Sequence, residues 1–276
     1  MSKINNLITY QTKTSTQIYL NSATADIYMN GTMKSNLVFF FEDPLQINKH
    51  AYEMRLSIVN AQMPISWYLI NDTNNVIKIN STNYYFKKGN YNIHTFISEW
   101  ANSIGSGWTL TFDSVTNKIS FAYTSNFTFS DSSNNSLFPI IGFESGKVYA
   151  SSPSFVLVAP FCFNFCGLSR INIKSSTFNL GNLDSYNKSK NRTLATIPIS
   201  SIGQGYILYH NYTHYTNIFK NNEISTIDIN IMDDNRNYID FNNIDWTITL
   251  QIDILSEVIQ NIDNLEDLYE NLSELV

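Results

Sequence analysis

The sequence predicts an all-β protein: a single jelly-roll β-sandwich with a small α+β insertion and an acidic C-terminal helix. Three observations predict it. First, Ile244, Trp246, Ile248, Leu250, Ile252 and Ile254 alternate without a break with Asp245, Thr247, Thr249, Gln251 and Asp253, the period of a strand with one dry and one wet face. At ~3.3 Å per residue this stretch runs ~36 Å, enough to cross a sheet from one side to the other. Second, about eight segments of strand character are spread over the body, with the first and last far apart in the chain, as in Greek-key sandwiches of the jelly-roll type. Third, helical periodicity is confined to one stretch in the middle and one at the end.

Residues 1–35 are polar with no clear period and read as an N-terminal arm. The jelly roll begins at residues 36–66. Leu37, Val38, Phe39, Phe40 and Phe41 form a continuous apolar run, expected to be a strand buried on both faces. Tyr52, Met54, Leu56 and Ile58 then alternate with polar residues as far as Pro64.

Residues 67–149 read as an α+β insertion domain. Ile93, Phe96, Ile97, Trp100 and Ile104 form one helical stripe, with Asn92 placed as N-cap and Gly105 as stop. Trp108, Leu110 and Phe112, then Ile119, Phe121 and Tyr123, alternate on either side of a turn at 113–117, a hairpin. Residues 137–143 (LFPIIGF) close the unit.

Residues 150–255 resume the jelly roll, with strand signals at 154–159, 170–174, 194–199 and 205–209. Ile227, Ile229 and Ile231 give another alternating strand, and Asp233, Asp234, Asn235, Arg236 and Asn237 supply turn chemistry before the long strand. This pattern predicts two long antiparallel neighbours joined by a hairpin. In residues 256–276, Val258, Ile262, Leu265, Tyr269, Leu272 and Val276 step by four and three, an acidic amphipathic helical tail that either folds back on the body or docks to a partner.

The 276 residues are 43% hydrophobic and only 14% charged, with a net charge of −6. An average soluble domain is ~25% charged. Asn makes up roughly one residue in eight, so the low charge fits AT-rich coding as well as surface covered by neighbours. Six carboxylates fall in the last twenty residues with no base among them, and the remaining seventeen acids match the seventeen Lys and Arg. A balanced body has no electrostatic footprint for nucleic acid, so no direct nucleic-acid binding is expected. No run approaches the ~18 apolar residues of a membrane span, and the N-terminal residues lack the apolar core of a signal peptide.

Candidate chemistry is sparse. His210 and His214 lie ~13 Å apart at strand rise, with no Glu or Cys nearby to complete a metal set. Cys162 and Cys166 form neither a disulfide framework nor a whole zinc site. Asp233 and Asp234 favour a turn by bonding to the backbone. Gly105-Ser106-Gly107 is a connector, and no nucleophile elbow, phosphate loop or HExxH occurs. The expectation is therefore no catalytic, cofactor-binding or metal residue, no cofactor and no enzyme.

Four segments carry a resemblance: 57–70 (SIVNAQMPISWYLI), 89–143 with its GNYNIHTFISEW opening and LFPIIGF close, 194–209, and 231–255 (IMDDNRNYIDFNNIDWTITLQIDIL). In their order and spacing the chain, from about residue 12 to 255, resembles the penton, or minor capsid, proteins of virophages and Polinton-like viruses. The acidic tail has no counterpart in that pattern. The resemblance implies one jelly roll per subunit and a homopentamer at the five-fold vertices of an icosahedral capsid. It also implies contact with major capsid protein neighbours, an insertion projecting from the surface, and a virion location after synthesis in the host cytoplasm. Trp67, Tyr68, Tyr84, Tyr85, Phe86 and the Tyr residues of 206–215 suit interface contacts, with core packing as the competing role for each. A glycan- or receptor-binding attachment module, acting through the insertion, is the alternative, since jelly rolls also serve as lectins.

Overall fold

The computed structural model describes residues 5–46, 53–131, 135–178, 183–184, 189–190, 192–199, 205–219 and 223–262. Side chains are described for the same ranges except 5–13, 183–190 and 256–262. Two compact units share the chain, one formed by 1–66 with 170–276 and the other by 67–169.

The first unit has eight principal strands among the described residues. They are β1 (Asn5–Asn21), β2 (Asn36–Gln46), β3 (Glu53–Pro64), β4 (Arg170–Lys174), β5 (Thr193–Pro198), β6 (Tyr206–His210), β7 (Glu223–Met232) and β8 (Thr247–Ile262). One sheet has the order β1-β8-β3-β6 and the other β5-β4-β7-β2, with every pairing antiparallel. First, eighth, third and sixth face fifth, fourth, seventh and second: a jelly roll. Ile27–Tyr28 lengthens the second sheet beyond β2, and Asn217–Phe219 continues the line of β6 along β3.

Alternation fills the space between the sheets. Trp246, Ile248, Leu250, Ile252 and Ile254 are buried, as are Leu56 and Ile58 of β3, Leu37 and Phe39 of β2, Ile171 and Ile173 of β4, and Ile227, Ile229 and Ile231 of β7. Each such side chain contributes about 1.5–3 kcal/mol on burial. Trp246 meets Phe39 edge-on at 6.4 Å across the sandwich. Its indole N–H donates to the Lys34 carbonyl at 2.6 Å, so the polar edge of the ring is satisfied where the rest is dry.

Several expectations are corrected. β7 and β8 are not hairpin partners, because each pairs within its own sheet. The turn at 233–237 exists, closed by Asp233 N donating to the Asn237 carbonyl and Asn237 N to Asp233 Oδ1. It leads into a crossing between sheets, and Ile244, which lies on that crossing, is 44% exposed. β2 is not buried on both faces, since Phe40 is exposed while Leu37 and Phe39 are buried. Residues 5–21, expected in an arm, form β1. The connector after β1 is held down as well: Ser22 Oγ and Lys34 Nζ both donate to Asp245 Oδ1, at 2.7 and 2.6 Å. The tail's expected helical start at 256 falls inside β8, which runs to Ile262, and residues 263–276 lie outside the described residues.

The second unit contains α1 (Ile93–Ile104), capped by Asn92 and Thr95 bonding reciprocally, and the one-turn α2 (Phe138–Ile141). Its strands make two sheets. In one, Val76–Ile79 lies between Thr82–Tyr85 and Thr128–Ser130, and Val148–Ala150 adds to the latter. In the other, Lys118–Ala122 lies between Thr109–Asp113 and Val156–Val158. The hairpin and the capped helix fall where their periodicity puts them. Residues 156–158, expected in the jelly roll, pair with 118–122, so the unit ends at residue 169 and not at 149. Its core is aromatic: the Trp100 ring sits 4.8 Å from Phe121 and 5.8 Å from Phe129, and Trp108 lies 4.6 Å from Phe127.

Candidate assembly surface

Exposed apolar side chains of the jelly roll stand on both edge strands of the β1-β8-β3-β6 sheet, and others stand on the second sheet and on the crossing after β7. On the first edge β1 pairs only with β8, which leaves its outer edge unpaired among the described residues. Tyr19 is 74% exposed there, and on the second sheet Phe40 of β2 and Ile27 beside it are exposed too. The β2–β7 register jumps from Phe40↔Thr226 to Leu45↔Ile224, so residues 41–44 bulge out of the ladder. Pro44 cannot donate to a ladder and suits a bulge. Between this bulge and residues 16–19 of β1 lies a cleft of about 480 Å³, with Ile224 in its wall.

The second edge is β6. Ile207 points inward and is buried, while Tyr206 and Leu208 stand on the outer face, Leu208 at 68% exposed. Residues 206–210 pair with 60–64 and 217–219 with 54–56, so one line of strand is interrupted by the excursion 211–216. Tyr212 on that excursion is 83% exposed, and Tyr215 and Ile218 are also exposed. Asn211 builds the excursion: its side chain donates to the Tyr215 carbonyl and accepts from Tyr215 N. Behind it, buried Asn217 donates to the Leu194 carbonyl of β5 at 3.0 Å and latches the two sheets together.

The chemistry-bearing residues of the sequence are scattered. His210 ends β6 with its ring 5.7 Å from that of Tyr212, and His214 sits in the excursion at φ 52°. Cys162 and Cys166 are both exposed free thiols. Asp234 pairs with Arg170 at 2.8 Å and accepts from Asn172, which pins the turn. Among the described residues no group of three or more His, Cys, Asp or Glu is placed to hold a metal ion. No helix among them is long and apolar enough to cross a membrane. Of the aromatic residues expected at interfaces, Phe86 is core, whereas Tyr68, Tyr85, Tyr206, Tyr212 and Tyr215 are exposed. The bulge at 41–44 and the interruption at 211–216 had no period to announce them.

No protein-family model matches this chain, and no curated protein matches it. Among solved structures the chain is similar to the mavirus penton protein in its crystal structure, at 11% identity and a TM-score of 0.47, over 88% of this chain and the whole of that one.

Proposed function

We propose that this chain is a structural, non-catalytic subunit of a viral capsid. It closes into a ring of five at the vertices, beside the major capsid protein, and resides in the virion after synthesis in the host cytoplasm. The observation that carries this reading is the pair of exposed features on opposite edge strands of one jelly-roll sheet, Tyr19 with the cleft on β1 and Leu208 with Tyr212 on the β6 side. A head-to-tail ring needs two different patches on opposite flanks of each copy. Tyr and apolar side chains at such patches lose water on contact and gain affinity. The evenly balanced charge of residues 1–256 lets copies approach without mutual repulsion. The topology is also one that capsid proteins use repeatedly, and the four resembling segments of the sequence point the same way.

Sedimentation velocity tests the reading with the full chain and a Leu208→Asp variant. The expected result is a closed oligomer for the full chain and a monomer for the variant, with thermal stabilities within about 0.5 kcal/mol because Leu208 is a surface residue. A full chain that stays monomeric at every concentration, or a variant that assembles as well as the parent, would overturn it.

A further inference from the structure

The two flanks of the jelly roll differ in the charge that they can carry. On the β6 side, residues 193–219 hold no Asp, Glu, Lys or Arg. His210 and His214 are therefore the side chains of that stretch that gain charge near neutral pH. Both are exposed, and the exposed Tyr212 lies between them in the chain. Asn211 sets their spacing: its carbonyl accepts from His214 N, and its side chain ties down Tyr215.

No carboxylate stands opposite His210 or within the excursion. His210 lies opposite Asn60 of β3, and its ring meets that of Tyr212. The charged residues of β3, Glu53 and Arg55, pair with each other at 2.6 Å, and Arg55 lies opposite Ile218. On β8, Asp253 is opposite Arg55 and accepts from Gln251. β5, latched behind by Asn217, has no charged residue. The other titratable groups beside the imidazoles are Tyr209, Tyr212 and Tyr215.

On the β1 side the sign is reversed. Between residues 14 and 46 the charged residues are Asp26, Lys34, Glu42 and Asp43. Lys34 is held by Asp245 at 2.6 Å and its side chain is only 12% exposed. Asp26, Glu42 and Asp43 are exposed, as is Glu223, which lies opposite Gln46. These acids border the apolar groups of the flank: Asp26 accepts from Phe40 N at 2.7 Å, and Asp43 lines the same cleft as Tyr19.

We propose that the excursion of one copy, with His210, Tyr212 and His214, seats against the carboxylates around Phe40 and Tyr19 of a second copy, and that protonation of the two imidazoles tightens this contact. The proposal rests on the ring reading and deepens it by naming the side chains that meet. Tyr212 loses water in the contact, while imidazole and carboxylate fix the register. Histidine ordinarily takes up its proton as pH falls through about 6.5, whereas Asp and Glu stay charged down to about pH 4. The contact is therefore tightest between about pH 5 and 6, and it loosens as pH rises through 7 or falls below about 4.

Sedimentation velocity of the full chain over a dilution series, at pH ~7.5 and pH ~6, tests the pairing. Association is expected to be about fivefold tighter per contact at the lower pH, with the gain shrinking as salt is added. In a His210→Gln, His214→Gln double variant the ratio between the two pH values is expected to fall to about one, and likewise in Glu42→Gln, Asp43→Asn. Should the imidazole variant fail to fold, the carboxylate variant decides alone. Rings of equal affinity at both pH values, or variants that keep the full gain, would overturn the pairing and leave the ring standing. A full chain that associates at neither pH would remove ring and pairing together.

Discussion

Asp228 holds the chain that follows β4 against β7. Its carboxylate accepts from Ser175 Oγ at 3.0 Å, from Ser176 N at 2.8 Å, from Thr177 N at 2.7 Å and from Asn230 Nδ2 at 2.8 Å. Burial by itself pushes the carboxyl pKa up, but the hydrogen bonds from Ser176 and Thr177 outweigh it and leave it below the usual value. A carboxyl whose folded pKa is lowered stabilises the fold fully above its unfolded value, near about 4, and loses that contribution as pH falls toward the folded value. Thermal melts of Asp228→Asn are therefore expected to show a loss of about 2–3 kcal/mol at pH 7 and a shallower decline below pH ~4 than the parent. An unchanged acid limb would mean that Asp228 does not dominate it. Gly142 gives a second test at this scale. It ends α2 at φ 87°, and a Cβ there would run into the Phe161 carbonyl oxygen. Gly142→Ala is expected to cost about 1–3 kcal/mol, read from denaturant unfolding, and no loss would contradict the close approach.

Elements with a strong period could be read from the sequence, and those with a weak or double period could not. The stripe and caps of α1 occupy the expected residues, with Phe96 and Trp100 buried and Asn92 bonded to the first-turn amides. Removing that cap in Asn92→Ala is expected to cost about 1 kcal/mol, measured by chemical denaturation. The core face of β8 was equally plain, and Trp246→Ala is expected to cost about 3–5 kcal/mol by the same measurement, from lost burial and the cavity left behind. β1 is hidden by its composition: an edge strand needs little apolar surface, and residues 9–17 are all polar but Tyr10, so no apolar alternation announces the strand before Ile18 and Leu20. Thr9, Thr12, Thr14 and Thr16 were the overlooked signal, since β-branched residues favour strands. Val258 and Ile262 fit a helical stripe as well as a strand, and only the pairing with β1 decided the matter for 256–262. The β7–β8 hairpin failed for a different reason: turn chemistry at 233–237 marks a reversal but not which strand the chain joins next.

For the molecule as a whole, the sandwich class followed from alternation, whereas strand order did not, because pairing between residues as distant as Asn21 and Thr247 leaves no local trace. The candidate assembly surface was partly visible, as Tyr206, Tyr212 and Tyr215 were expected at contacts. That Tyr19 and Leu208 stand on opposite edges of one sheet became apparent only from the topology, and that opposition is what a ring requires. The central claim is that these two edges bring copies of the chain together in a closed ring. Native mass spectrometry of the full chain over a dilution series tests it most directly. The account predicts a single dominant assembly with five times the chain mass, dissociating to monomer on dilution without accumulating open intermediates. A spectrum holding only the single-chain mass, or a ladder of assemblies with no preferred size, would contradict it.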